Sequence, residues 1–257
     1  MKITPYAFLL LSTALCCPLL HAWTPGVSAP APLSGLVVDT KDRNDVISFF
    51  QNVYQASEGY HAVMNWTGDH GTCSEGTVSS AFVDMVQRRV NYYRAMAGVP
   101  ASVTMNTAST VVTEGDPYGA ASAVTKVVAA RKSALLISRN DFASHDPATS
   151  STCFSSAAGN GSFFGNITLG FYGPGAMDAY MKEDAGNRDV GHRRWLIYTQ
   201  ATDFATGDVP YVSETLRQAN TLYVRSVARN SLPWLLVSFP GRMQVIAHGH
   251  TRQNSGR

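Results

Sequence analysis

The chain has 257 residues, 45% of them hydrophobic and 15% charged, with a formal net charge of +2. That length and balance suit one substantial apolar core with extensions. A charge excess this small, from basic residues this scattered, does not imply a nucleic-acid partner, and none is expected.

Met1-Lys2 followed by the apolar run 6–20 and by His21-Ala22 has the form of a secretory signal peptide cleaved after Ala22, giving residues 1–22 as the signal. The run is short for a membrane span, so the alternative of an uncleaved anchor is the weaker one, and no stable span is expected after cleavage. Residues 23–40, with Pro25, Pro30 and Pro32, read as an extended leader. Cleavage removes Cys16 and Cys17, leaving Cys73 and Cys153 in an oxidising compartment, where two cysteines permit one disulfide. Closing a loop of that size stabilises by about 4 kcal/mol in the chain-entropy model. The alternative, a reactive thiol, lacks a sequence-adjacent histidine to activate it.

Residues 42–54 carry acidic first-turn residues and apolar positions at helical spacing, and predict a helix. Residues 58–76 lack periodicity and read as a glycine-rich loop held by Cys73, with His61 and His70 in it. Asn65, Asn160 and Asn166 each begin an Asn-x-Ser/Thr pattern, which matters only if the source glycosylates. Ser79-Ser80 can cap a long central helix over 81–97, with Phe82, Met85 or Val86, Val90, Tyr93 and Met96 on its core face and Gly98 and Pro100 at its end. Residues 103–106 suit a short strand or turn, and 120–137 a second long helix that delivers Ser144-His145-Asp146-Pro147 as a turn, since Pro147 bars helix there. Residues 149–161 read as a Ser/Gly-rich loop carrying Cys153, and Ile167 and Leu169 begin a small strand.

Pro174 then fits the first turn of an amphipathic helix ending at Gly186-Asn187, with Ala176, Met177, Tyr180 and Met181 on its apolar stripe and Glu183 at the stripe's border. Gly191-His192 opens a predicted buried strand over 193–198, which puts the His192 imidazole near Glu183. The Arg193-Arg194 pair reads as an ordinary surface feature. After a break at Thr206-Gly207-Asp208, strands are predicted over 222–227 and 234–239, and 241–257 is a tail with His248 and His250. Helices first and strands later give an α+β class, with one domain over 41–240.

The stretch 178–198 resembles the signature of the CAP (SCP/TAPS) superfamily in a bacterial-looking Gly-His-Arg-Arg-Trp form. Three other stretches agree in order. Residues 89–100, with Arg89, Asn91 and Arg94, look like the family's first long helix; Ser144-His145-Asp146-Pro147 looks like its first histidine motif; and Phe164-Gly165-Asn166-Ile167 looks like its Gly-Glu-Asn-Ile/Leu motif. The resemblance covers about 79–210. It implies an α-β-α sandwich around a central, mainly antiparallel sheet, and Asn91 and Arg94 as buried polar partners, although their positions alone equally suit a solvated surface.

In the family two histidines and two acids line a cleft that can hold a divalent metal. Carried over, these are His145, His192 and Glu183, while Gly165 stands where the second acid is expected. Two imidazoles are good zinc ligands but fall short of the three or four protein ligands of ordinary zinc sites, so a weakly bound metal and a metal-free pair of hydrogen-bonded histidines both stay open. Glu183 would then orient a histidine or a water. The chain contains no Gly-x-Ser-x-Gly elbow, no His-Glu-x-x-His and no phosphate loop. The expected function is that of a secreted, non-catalytic binding module for a sterol-like ligand or an extracellular protein. The alternative is a metal-dependent hydrolase using His145, His192 and Glu183.

Overall fold

A computed structural model describes residues 35–183, 189–225, 237–239 and 242–244. The expected signal peptide, most of the leader, the helix end at Gly186-Asn187, and His248 and His250 in the tail lie outside the described residues. The first helix, α1 (Arg43–Phe49), runs on through a π-helical turn (Phe50–Tyr54) and 3-10 turns at Gln55–Ser57 and Tyr60–Val63. There follow α2 (Ser80–Met96), β1 (Thr104–Met105), α3 (Lys126–Asn140), α4 (Ser156–Phe164), β2 (Gly165–Leu169), α5 (Gly173–Lys182), α6 (Gly191–Leu196), β3 (Asp203–Val209), β4 (Ala219–Tyr223), β5 (Val237–Phe239) and β6 (Arg242–Gln244). None of the described helices is long and apolar enough to cross a membrane.

Side-chain oxygens that accept otherwise orphaned backbone N–H groups set the helix starts. Asp42 caps α1, Ser79 caps α2 and Thr125 caps α3, so the second long helix begins at Lys126 and not at residue 120. Ser155 caps α4, a helix that begins inside the stretch that reads as a Ser/Gly-rich loop and runs past its end. Glycine is a poor helix former, yet here it allows close approach: a Cβ on Gly161 would stand 2.2 Å from the Ala129 carbonyl oxygen of α3. Packing of two helix backbones overrides the local preference.

Four strands form a sheet in the order β1-β3-β4-β2, with β1 parallel to β3 and the other pairs antiparallel. The apparent break at Thr206-Gly207-Asp208 is the middle of β3, and the strand predicted over 222–227 begins earlier, at Ala219. Gly207 is there because α3 presses on the strand: a Cβ would lie 2.1 Å from the Ala130 carbonyl oxygen. The strand expected over 234–239 is represented by β5, which pairs with β6.

Successive strand residues face opposite ways. Phe204 and Leu222 point into a core with Phe82, Val86 and Val90 of α2 and Ala176, Met177 and Tyr180 of α5. Their neighbours Ala205 and Tyr223 point into a second core with Ala129 and Ala130 of α3 and Phe164. Helices therefore cover both faces of a mainly antiparallel sheet, an α+β architecture.

Two fully buried guanidinium groups of α2 tie it to α5 and to the end of α6. Arg89 pairs with both oxygens of Asp178 on α5 at 2.6 and 2.5 Å, with Glu58 at 2.5 Å and with the Ser57 hydroxyl at 2.8 Å, and it stacks 3.5 Å from the Tyr54 ring centroid. Arg94 donates through Nη1 to the carbonyls of Leu196 and Tyr198 at the end of α6. Asn91 exchanges two hydrogen bonds with the Val103 backbone. Asn91 and Arg94 are thus buried partners, as the resemblance implies, and not surface residues. Cys73 and Cys153 form the expected disulfide, tying the 65–76 loop to the turn before α4.

Candidate functional site

The first histidine sits in the turn after α3, as the sequence predicts. The loop bearing it is closed at its base by Asn140, whose amide donates to the Thr152 carbonyl at 2.9 Å and accepts from the Thr152 N–H at 3.2 Å. Tyr118 donates to Asp146 at 2.5 Å, pinning the loop's tip. The Nδ1–H of His145 donates to the Ser162 carbonyl of α4 at 2.7 Å. A carbonyl only accepts, so this contact fixes the tautomer and leaves the lone pair on Nε2.

The second histidine is placed differently from expectation. The segment predicted as a strand over 193–198 is the short helix α6, with Leu196 and Ile197 buried and Trp195 39% exposed. Its aromatic and aliphatic composition is only a weak strand preference, whereas Arg94 supplies a buried cap to the carbonyls at its end. The predicted neighbourhood nevertheless holds. His192 Nδ1 lies 3.3 Å from Glu183 Oε2, and the Glu183 side chain is 3% exposed. Helix α5 ends at Lys182 instead of 186, and Glu183 follows it in the left-handed region at φ 51°. Its other oxygen, Oε1, accepts the Arg193 backbone N–H at 2.8 Å.

The two imidazoles come together, with ring centroids 6.5 Å apart and an interplanar angle of 36°. Tyr180 forms one wall, its ring centroid 5.1 Å from that of His192. Asn166 donates to the His192 carbonyl at 2.9 Å, and the Tyr180 hydroxyl lies 2.9 Å from the Asn166 carbonyl and 2.8 Å from Asn220 Oδ1. Asn220 in turn donates to Asp208 at 2.7 Å. Burial raises the Asp208 carboxyl above its ordinary range, against donors from Thr206, Gly173 and Asn220 that pull it down. Burial pushes the His192 imidazole below its usual value; Glu183 pulls it back up and His145 adds to the lowering. At neutral pH His192 is therefore neutral, the form that binds a metal or accepts a proton.

Gly165 is closed to any side chain. A Cβ there would stand 2.5 Å from the Gly161 carbonyl oxygen and 2.8 Å from the Thr221 methyl group. The second carboxylate of the resemblance is thus excluded by packing as well as missing from the sequence. Among the described residues, no group of three or more His, Cys, Asp and Glu side chains is arranged to hold a metal. His145 and His192 could offer two Nε2 atoms to one ion, while both oxygens of Glu183 are already engaged. His61 and His70 are used elsewhere, against the Tyr172 hydroxyl and the Ser138 hydroxyl.

A recess beside the His145 loop is lined by Leu136, Ile137, Phe142, Ser144, Pro147 and Ser162 and measures about 250 Å³ with its open mouth included. The enclosed room within it for a water-sized sphere is about 20 Å³, far below the roughly 300–1,000 Å³ usual for pockets that bury a drug-sized ligand.

Sequence reasoning missed Arg89, Arg193 and Asp208. Arg89 carried a signal: it lies three residues after Val86 and four before Tyr93, on the core face of α2. Arg193 had none, because it bonds to the carbonyls of Met181 and Lys182; Asp208 had none, because Gly173 and Asn220, which join Thr206 in holding it, are distant in sequence.

Comparison with protein-family models, curated proteins and solved structures returns no match for this chain.

Proposed function

We propose that the protein is a secreted CAP-type domain of the α-β-α sandwich kind, whose histidine-lined cleft binds without catalysing. The observation that carries the reading is the pairing of His145 and His192, rings 6.5 Å apart and each held through Nδ1 by a different element. Two fixed imidazoles with their Nε2 atoms uncommitted among the described contacts suit a weakly bound divalent ion such as zinc, or a hydrogen-bonding group of a ligand. By the family resemblance the ligand is sterol-like or an extracellular protein. The modest recess beside His145 favours a partner that lies across the cleft over one engulfed by it.

The hydrolase reading has less support. It needs a carboxylate able to take a proton from a bound water, and Glu183 is occupied by His192 and Arg193 on its two oxygens.

Calorimetric zinc titration tests the proposal. His145→Ala and His192→Ala should each abolish binding with the fold retained, and Glu183→Gln should weaken it less. Because an imidazole must be neutral to bind, and burial keeps His192 in that form, affinity should fall on acidification as protons displace the ion. Zinc binding that survives loss of either histidine would place the ion elsewhere. Peptide or ester turnover abolished by Glu183→Ala would replace the binding reading with the hydrolase.

A further inference from the structure

We infer that Arg193 is the positioning residue of the cleft, holding Glu183 against His192 from both its main chain and its side chain. The inference rests on the reading of the histidine pair as the functional site. Two independent sets of contacts converge on it. The backbone N–H of Arg193 donates to Glu183 Oε1 at 2.8 Å, so that Oε2 of the same carboxylate faces His192 Nδ1 at 3.3 Å. The guanidinium reaches back to the end of α5, with Nε donating to the Met181 carbonyl at 2.7 Å and Nη2 to the Lys182 carbonyl at 3.1 Å. Carbonyls in the last turn of a helix have no donor within that helix, so the fork of Arg193 acts as a cap supplied by the next element.

The geometry matters because the backbone near the carboxylate is not at rest. Glu183 sits in the left-handed region at φ 51°, ψ 74°, and Val190, which opens α6, sits there at φ 46°, ψ 43°. That region costs about 1–2 kcal/mol for a residue with a Cβ, and a β-branched residue enters it rarely. Such conformations persist where surrounding contacts over-determine them. Arg193 supplies three of those contacts to residues 181, 182 and 183 in succession. The Val190 carbonyl accepts the Arg194 N–H at 3.0 Å, keeping the first turn of α6 wound and the Arg193 N–H aimed at Glu183. A lysine could place charge here but could not bridge two carbonyls with a planar fork.

The test separates positioning from helix capping. Nitrogen-15 NMR of the imidazoles in the full chain, without metal, reports which ring nitrogen carries the proton. In the wild type His192 and His145 should both be Nδ1–H tautomers. Arg193→Ala should move His192 toward a mixture, as Glu183→Gln should, while His145, held by Ser162, stays unchanged. A protein that loses thermal stability in Arg193→Ala but keeps the His192 tautomer would make Arg193 a cap only and overturn the inference, as would equal disturbance of both histidines. Should Arg193→Ala fail to fold, Arg193→Lys gives the same decision, with a His192 shift expected and an unaltered signal overturning it. In a zinc titration Arg193→Ala should lose roughly tenfold in affinity, the scale seen when a ligand's hydrogen-bond partner is removed. Wild-type protein that binds no zinc, yet shows the tautomer shift, would discard the metal and leave Arg193 in its role.

Discussion

The Arg89 cluster and the histidine cleft are both polar, both partly buried and both braced by α2 and α5, yet they are built to opposite ends. Around Arg89 each nitrogen of the guanidinium is matched: Asp178 and Glu58 neutralise it, Ser57 and Tyr54 complete its shell, and Tyr93 and Tyr54 donate to the same Asp178. In the cleft each imidazole is held at one nitrogen and offers the other. Saturated polar groups fix a structure; unsaturated ones, rigidly placed, leave capacity for a partner. The binding proposal rests on this difference in hydrogen-bond completeness more than on burial or charge.

The contrast predicts different responses to substitution. The largest effect should come from Arg89→Met, which removes the buried cation from Asp178 and Glu58, 34% and 52% exposed, and from Ser57; each lost hydrogen bond to a charged group costs about 1.5–3 kcal/mol, read together as a lower urea midpoint. A loss below about 1 kcal/mol would show that the cluster is not the brace described here. Cys73→Ser should cost about 2–4 kcal/mol in thermal unfolding under oxidising conditions. Its effect should fall on the His145 side, since Cys153 precedes the helix whose Ser162 holds that imidazole.

Gly165→Glu should cost about 1–3 kcal/mol by overpacking against Gly161 and Thr221 and should add nothing to zinc affinity. Tighter binding in that variant would erase the distinction between a two-histidine cleft and a four-ligand site. The smallest effect concerns pH. Burial lowers His192, and burial with Arg139 lowers His70, so between their folded values and about 6.5 the unfolded chain holds more protons than the fold. Stability is therefore highest above about pH 6.5 and declines as pH falls below it, and His192→Gln should flatten that slope in melts at pH 7.5 and 5.5. Arg89 takes no part in the decline. Burial works against its charge, but the hydrogen bonds and charges of Asp178, Tyr54 and Glu58 raise it further above its already high value.

Local chemistry fixes much of this protein from sequence. Apolar spacing and the Ser79 cap define α2 to within a residue, and Pro174 marks the start of α5. Two surviving cysteines define the disulfide, and the turn at His145 follows from Pro147. The neighbourhood of His192 and Glu183 is also legible, although for a helix where a strand was expected, because only eight residues lie between them and either element returns the chain to the same place.

Tertiary structure decided the rest, wherever one backbone presses on another or a side chain bonds to a distant main-chain group. Gly207 reads as a break by propensity and is the centre of β3, because α3 leaves no room for a Cβ there. Gly161 reads as loop and lies within α4 for the same reason, and Gly159 lies there under the Tyr118 ring. The run 193–198 reads as strand and winds into helix, since Arg94, about a hundred positions earlier, caps its end. Arg193 reads as surface and bonds to the end of α5. Propensity and periodicity are properties of neighbours along the chain, worth tenths of a kcal/mol per residue. Close approach and buried capping act between segments brought together by folding, and at about 1–3 kcal/mol for each clash or unsatisfied group they prevail where the two disagree.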